Sequence, residues 1–185
     1  YILNRKGEER VKPERFFVKN PSSQFALGKD EKGSYFVVTS DTKGIIRYMY
    51  LDGKVKDLTL RPVSHPHSFG YFDVNNDGKN DLVVVDGDYL YATNQAGKEI
   101  FSSHFKSKLQ PELFYFDLEQ IRGVGVRSAS NEENYLVDGA GRIASGFPVE
   151  GCTMFSIARL TRSSNTYNLI IGLKQGVVAC YTINK

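Results

Sequence analysis

The sequence predicts an all-β fold built from a repeated sheet unit, and three observations support this. Glycine followed by a basic residue recurs at Gly53-Lys54, Gly97-Lys98 and Gly141-Arg142, at intervals of 97 − 53 = 44 and 141 − 97 = 44. Short runs rich in β-branched and aromatic residues flank each glycine, as strands require. No apolar stripe of helical period is longer than about two turns. A period in the low forties is typical of stacked β-units that cannot bury a hydrophobic face alone.

Each unit contains four short segments in the same order. In the unit around Gly97 they are Phe69–Phe72, Leu82–Val85, Tyr89–Thr93 and Ser103–Phe105. A tight hairpin is expected at the repeated glycine, because glycine adopts a positive φ at little cost. The units cover approximately residues 1-19, 24-61, 68-106, 112-150 and 153-185, and the first and last are incomplete.

Radial stacking of four-stranded units of this length is the β-propeller arrangement. We therefore predict that residues 1-185 are a single propeller domain or a propeller fragment, with four repeats that either close as a small ring or belong to a larger one. By register the last unit lacks its outer strand, and residues 11-19 look like a surplus fourth strand. Pairing the two would remove an exposed edge and close the ring. The unpaired edge could instead join two copies as a homo-oligomer.

Charge and hydropathy exclude two classes of partner. The net charge is only +3 and the basic residues are scattered among the predicted turns, so no nucleic-acid surface is predicted. The longest apolar runs are far shorter than the roughly 20 residues that span a bilayer, so no transmembrane segment is predicted. The start at Tyr1 looks trimmed, which leaves targeting information outside the sequence.

The cysteines and histidines do not form a recognisable site. Cys180 lies in an apolar run and is predicted to be a reduced core thiol, with a disulfide to Cys152 as the alternative. His65 and His67 are predicted to be polar loop residues rather than a zinc-binding pair, because Pro66 lies between them and no cluster of carboxylates or thiols accompanies them; His104 falls at the end of the same blade.

An acidic loop is the strongest candidate site. Asp73, Asn75, Asp77 and Asp81 place side-chain oxygens at loop positions one, three, five and nine, and Lys79 offers its backbone carbonyl at position seven. Ca²⁺ takes six to eight oxygen ligands, and three carboxylates without a cation would repel one another. The sequence therefore predicts a structural calcium site, with Gly78 permitting the sharp turn. An Asx-rich turn without metal is the alternative.

The segment Tyr71–Val85 also resembles the FG-GAP/VCBS repeats found in integrin α-chain propellers. That resemblance, which covers about 20 of the 185 residues, implies a propeller blade whose first two strands are joined by a calcium loop of pattern D-x-[DN]-x-D-G-x-x-D. Corresponding connections at Lys29–Gly33, Asp117–Arg122 and Arg159–Asn165 lack the pattern. The whole chain is loosely similar to C-terminal propeller regions of large bacterial envelope proteins with no assigned activity, which implies an extracytoplasmic location in the periplasm or at the cell surface.

The predicted function is a non-catalytic module for protein or glycan interaction within a larger cell-envelope protein. Propellers present variable loops on a rigid scaffold, and no nucleophile or phosphate-binding motif is present. The alternative is a propeller enzyme acting on polysaccharide, a lyase or hydrolase with its site in the central channel. The scattered candidates for that site are Asp30, Asp117, Arg127 and Lys174.

Overall fold

The computed structural model describes residues 2–11, 25–30, 32–41, 43–64, 66–161 and 166–183. Within them the regular structure is β-strand, apart from one 3₁₀ turn at Lys174–Gly176, so the all-β prediction is confirmed. The strands in chain order are β1 (Ile2–Leu3), β2 (Glu9–Val11), β3 (Ala26–Lys29), β4 (Tyr35–Ser40), β5 (Ile45–Tyr50), β6 (Val55–Thr59), β7 (His67–Phe72), β8 (Asp81–Asp86), β9 (Tyr89–Thr93), β10 (Glu99–His104), β11 (Phe114–Asp117), β12 (Arg122–Arg127), β13 (Glu133–Val137), β14 (Val149–Glu150), β15 (Ser156–Ala158), β16 (Tyr167–Gly172) and β17 (Val178–Ile183).

The sheets are antiparallel meanders in which each strand pairs with the next along the chain. Strands β3–β6, β7–β10 and β11–β14 make three four-stranded sheets, and β15–β17 make a three-stranded sheet; we call these blades 1 to 4. Strands β1 and β2 pair with each other as a separate two-stranded sheet. This order is the up-and-down blade pattern that the repeat predicts.

The repeated glycines close the hairpins between third and fourth strands, as predicted. Gly53, Gly97 and Gly141 have φ values of 86°, 81° and 80°, and each donates its N–H to the carbonyl three residues earlier. A residue with a Cβ is strained at these angles, which explains why the repeat keeps glycine there.

The hydrophobic core lies between neighbouring blades rather than inside any one of them. Its three clusters join blades 1 and 2, blades 2 and 3, and blades 3 and 4. One aromatic pair crosses each boundary: Phe36–Tyr71 at 5.8 Å between ring centroids, Phe72–Tyr115 at 4.3 Å and Phe116–Phe155 at 5.1 Å. Each blade is therefore stabilised by its neighbours, as in other repeat proteins.

The last blade keeps an open edge within the described structure. β17 pairs with β16, and no other described strand pairs with β17. The expected pairing of an N-terminal strand onto blade 4 is not found for β2, which pairs with β1. The remainder of the proposed strand 11-19, residues 12–19, lies outside the described residues.

The prediction of a core thiol at Cys180 is wrong. Both cysteines are free, and Cys180 is exposed on β17 because no described element covers that face of blade 4. Cys152 is half-buried, and its Sγ donates to the Gly172 carbonyl at 3.3 Å.

Candidate functional site: the acidic loop and the adjoining cleft

The acidic loop, residues 73–80, joins β7 to β8, the first two strands of blade 2. Gly78 has a φ of 84°, as the predicted sharp turn requires, and Asn76 has a φ of 63°. Glycine and asparagine are the residues that tolerate this region best. The loop therefore reverses tightly and keeps its polar side chains within one short segment.

Side-chain oxygens of the loop accept hydrogen bonds from its own backbone. Asp73 accepts from the N–H groups of Asp77 at 3.0 Å and Gly78 at 2.9 Å, and Asp77 Oδ1 accepts from the Lys79 N–H at 2.9 Å. Asn75 Oδ1 also accepts from the Asp77 N–H, at 3.1 Å. These are the Asx turns of the metal-free alternative. A carboxylate offers about four acceptor positions, so the bonds leave capacity for a cation.

Asp81 carries the strongest electrostatic signal of the loop. It begins β8, only 1% of it is exposed, and its Oδ2 accepts from the Val74 N–H at 3.3 Å. Burial raises the pKa of Asp81 to about 6, helped by the charges of Asp77 and Asp73. The loop therefore holds negative charge that a bound cation would offset.

The residues present suit calcium in chemical type, since they are three carboxylates, an amide and a carbonyl in one loop. Among the residues that the structure describes, however, no three His, Cys, Asp or Glu side chains converge into a metal-ligating group as they stand. The structure brings Asp73, Asn75, Asp77 and Asp81 into one segment, and calcium coordination by them stays a prediction.

Blade 3 holds the acidic loop from the side. The Tyr115 hydroxyl donates to the Asp73 carbonyl, and the Arg122 guanidinium donates to Asn76 Oδ1. Tyr115 also stacks on Phe72, the last residue of β7. Sequence reasoning missed these clamps because they join residues 42 and 46 positions apart.

A cleft of about 700 Å³ opens beside the loop, between blades 2 and 3. Its walls are the acidic loop, the β11–β12 connection and the β13–β14 hairpin, which include the polar residues Asn75, Asn76, Asp117, Glu119, Asp138 and Arg142. The backbones approach closely at one wall, where a Cβ on Gly139 would lie 2.3 Å from the Val74 carbonyl oxygen. The cleft lies at the same end of the blades as the predicted calcium loop.

The carboxylates of the cleft are held by arginines. Arg122 pairs with Asp117 at 2.6 Å, and Arg142 pairs with Asp138 at 2.8 Å. Burial favours a higher pKa for Asp138, but N–H groups of Arg142 and Ala140 and the Arg142 guanidinium together lower it below its ordinary value. The lowered pKa keeps the Asp138 carboxylate charged, so Asp138 is a poor general acid at neutral pH.

A second cavity, of about 550 Å³, continues the cleft toward blade 4 and shares Gln120 and Arg122 with it. Its walls are largely apolar and include Ile121, Leu136, Ala144, Phe147 and Ile183. The combined cleft therefore runs from a charged end beside the acidic loop to an apolar end beside blade 4. Such a gradient suits a segment that carries both polar and apolar side chains.

The four channel candidates of the enzyme alternative do not converge. Asp30 follows the first strand of blade 1, and Asp117 ends the first strand of blade 3. Arg127 ends the second strand of blade 3, and Lys174 follows the second strand of blade 4. Because first and second strands are antiparallel, the acids and the bases lie at opposite ends of the blades. Arg127 donates to the Cys152 carbonyl at 2.9 Å and Lys174 pairs with Glu132 at 3.0 Å.

One of the two described histidines has an environment other than the one expected. His67 is buried in β7, with Nε2 2.8 Å from Ser40 Oγ and Nδ1 2.9 Å from the Ser64 carbonyl, so the loop prediction is wrong for this residue. It joins blade 1 to blade 2. His104 is exposed and lies 3.0 Å from Asp88 Oδ2. His65 lies outside the described residues.

Comparison with known proteins supports the fold. No family model matches the chain, so the resemblance to FG-GAP/VCBS repeats has no family match behind it, and the search of curated proteins gives no match either. Two crystal structures of BBS1N in complex with ARL6DN are similar to this chain. The lead-soaked structure has 16% identity over 89% of this chain and 54% of that chain, with a TM-score of 0.58. The mercury-soaked structure has 16% identity over 88% and 47%, with a TM-score of 0.52.

BamB from Moraxella catarrhalis is also similar, with 13% identity over 85% of this chain and 42% of that chain and a TM-score of 0.49. This chain thus spans about half the length of the solved structures that it matches. BBS1N is a β-propeller, so the likeness confirms the predicted fold class, and at this identity it shows the fold alone. Within the described residues no helix is long and apolar enough to cross a membrane.

Proposed function

We propose that this propeller is a non-catalytic protein-interaction module whose binding surface is the cleft between blades 2, 3 and 4. The observation that carries the proposal is the graded lining of the cleft. Its charged end is built from paired ions and its apolar end from Ile121, Phe147 and Ile183. A polypeptide segment supplies both kinds of group, and loops on a rigid scaffold are the usual place for such a surface.

The charged end of the cleft favours a protein ligand over a glycan, because its described lining residues include no aromatic ring on which a sugar could stack. The known similar structure points the same way: BBS1N was solved in complex with ARL6DN. Glycan binding is retained as an outcome of the experiment below.

The acidic loop is proposed to bind a structural calcium ion through Asp73, Asn75, Asp77, Asp81 and the Lys79 carbonyl. This part of the proposal is supported by the Asp81 carboxylate, which is buried and lies near the like-charged carboxylates of Asp77 and Asp73. Extracellular calcium modules bind at about 10⁻⁴ to 10⁻³ M, so a site of this kind is loaded outside the cytosol. An extracytoplasmic location within a larger envelope protein is proposed on that basis.

Site-specific photo-crosslinking tests the binding surface. A photo-reactive residue replaces Gln120, which lines both cavities and follows strand β11. In the control, the same photo-reactive residue replaces Glu112, which precedes β11 and so lies at the opposite end of that strand. Both positions are exposed. In an extract of the native host, a discrete protein adduct is expected from position 120 and not from position 112. The substitution Arg142→Glu, which reverses a charge in the cleft, is expected to remove the adduct without unfolding the protein.

Adducts of equal yield at both positions would contradict the proposal, because they would show that proteins contact the cleft no more often than a surface outside it. Saturable binding of an oligosaccharide that Arg142→Glu abolishes, with no protein adduct, would replace the protein ligand by a glycan.

A further inference from the structure

A further cavity lies at the other end of blade 2 from the acidic loop. Its volume is about 630 Å³, and its walls come from the connection between β6 and β7, the β8–β9 hairpin and the connection between β10 and β11. The acidic loop precedes β8 and the β8–β9 hairpin follows it, so this cavity and the cleft lie at opposite ends of the blades. The two connections join blades 1, 2 and 3, each of which has four strands.

Most of the wall is apolar and stiff. Pro62, Pro66 and Pro111 line the cavity together with Val63 and Leu109. Proline fixes its own φ and has no N–H, so these walls offer methylene surface without a backbone donor. We call this cavity the proline pocket.

Hydrogen bonds hold the two connections to the β8–β9 hairpin. Ser64 donates its N–H to Asp86 Oδ1 at 2.8 Å, and its hydroxyl donates to the same oxygen. On the other side the Leu109 N–H donates to the Gly87 carbonyl at 2.8 Å. A ligand would therefore meet a preformed surface, which lowers the entropic cost of binding.

Asp86 lines the proline pocket as a half-buried carboxylate. Both Ser64 bonds go to its Oδ1, and among the described residues none bonds Oδ2 or forms an ion pair with this carboxylate. The other two charged residues of the wall offset each other. The pKa of Asp88 is lowered by its hydrogen bond to His104 and also by the charge of Lys108, which therefore lies near it.

Arg61 lies beside the pocket and is held elsewhere. Its guanidinium stacks over the Tyr91 ring, 3.6 Å from the centroid, and lies 5.4 Å from the centroid of Tyr89. No ion pair joins Arg61 to a carboxylate in the part of the chain that the structure describes. The negative charge of Asp86 is thus the one that a ligand of this pocket can pair.

We propose that the proline pocket binds a lysine side chain of a partner protein, with the ammonium at Asp86 Oδ2 and the methylene stem along the prolines. Lysine buries its stem on apolar surface and keeps its ammonium on a polar group. Arginine is disfavoured because its fork bonds both oxygens of a carboxylate, and Asp86 Oδ1 already accepts two bonds. The size of the cavity suits a ligand of several residues, which favours lysine within a polypeptide over a free amine.

Peptide titration followed by the NMR shifts of the Ser64 and Gly87 amides tests this assignment. The probe is acetyl-Ala-Lys-Ala-amide. One control peptide carries norleucine in place of lysine, which keeps the stem without the ammonium, and another carries arginine. The lysine peptide is expected to bind with a dissociation constant of about 1–10 mM, and both controls at least about tenfold more weakly.

Two variants are expected to change the affinity in opposite directions. Asp86→Asn keeps an acceptor for Ser64 but removes the charge, and it is expected to weaken binding of the lysine peptide about tenfold. Lys108→Met removes an ammonium from the wall and is expected to strengthen binding about twofold to threefold. Asp52→Asn, a matched loss of charge at the other end of blade 1, is expected to leave it unchanged.

Equal binding of the lysine and norleucine peptides would overturn the proposal, because the pocket would then recognise the apolar stem alone. Binding that Asp86→Asn leaves unchanged in a folded protein would overturn it too, and so would weaker binding by Lys108→Met. A wild type whose Ser64 and Gly87 amides do not shift with up to about 50 mM lysine peptide has no such site. None of these results bears on the cleft, which lies at the other end of the blades.

Discussion

Replacing Gly139 by alanine is expected to destabilise the protein by about 2 kcal/mol, because the residue lines the closest approach of two backbones in the cleft. A Cβ there would lie 2.3 Å from the Val74 carbonyl oxygen and 3.2 Å from the Asn75 Cα. To remove this clash, the β13–β14 hairpin and the acidic loop must move apart by roughly an ångström. The movement is costly because the clashing atoms belong to the backbone and not to a flexible side chain.

The magnitude combines two opposing contributions. Overpacking costs about 1–3 kcal/mol, with the upper end applying to a backbone clash. Alanine restricts the unfolded chain and recovers about 0.4–1 kcal/mol. A net loss of about 2 kcal/mol corresponds to a decrease of about 4–8 °C in the melting temperature of a domain of this size.

Thermal and urea unfolding measure the change, and Ala140→Ser is the control. Ala140 is the next residue, it is exposed, and its substitution is expected to change stability by less than about 0.5 kcal/mol. If Gly139→Ala is as stable as the wild type, the two backbones do not meet as described and the wall of the cleft is wrong.

Three further predictions concern the loop and the blade faces. Calcium at about 10 mM is expected to raise the free energy of unfolding above its value in chelator by about 1.5–3 kcal/mol, because it is then about 10- to 100-fold above a dissociation constant of about 10⁻³ to 10⁻⁴ M. Asp77→Asn is expected to lose this gain. Asp52→Asn is expected to keep it, because Asp52 makes the same bond to the N–H two residues on but lies outside the acidic loop. Without calcium, Asp81 has a folded pKa of about 6 against about 3.9 unfolded, so its contribution to stability is present below pH 4 and is lost as pH rises through 6. The wild-type minus Asp81→Asn difference in unfolding free energy is expected to fall by about 1–2 kcal/mol over that range, and a flat difference would contradict the burial of the carboxylate. In dilute protein Leu90→Ala is expected to cost about 2–5 kcal/mol and Val178→Ala less than about 0.5, and equal costs would contradict the open face of blade 4.

The repeat made the fold predictable, because each element needs only local information. Gly53, Gly97 and Gly141 identify the hairpins through backbone strain, and alternating apolar residues identify the strands between them. The position of the acidic loop between the first two strands of blade 2 follows from the same register.

Burial was less predictable, since it depends on which blade stands next to a given face. The run around Cys180 has the composition of a core strand, yet Cys180 is exposed and the equivalent Ala92 is buried. His67 was predicted to be exposed in a loop because Pro66 precedes it, and yet it is buried. Its imidazole hydrogen-bonds to Ser40 of the neighbouring blade. Neither outcome is encoded in the residues adjacent in sequence.

The cleft also forms between neighbouring blades, which explains why Arg122 and Arg142 were not recognised as residues that line a site. Arg122 bonds Asp117 in its own blade and Asn76 in the preceding one, so it belongs at once to the cleft wall and to the acidic loop. A cation that fixes the loop also fixes one partner of Arg122, and a ligand that draws Arg122 away removes a support from the loop. The proposed calcium site and the proposed binding cleft are therefore linked through Arg122, and any coupling between them must act equally in both directions.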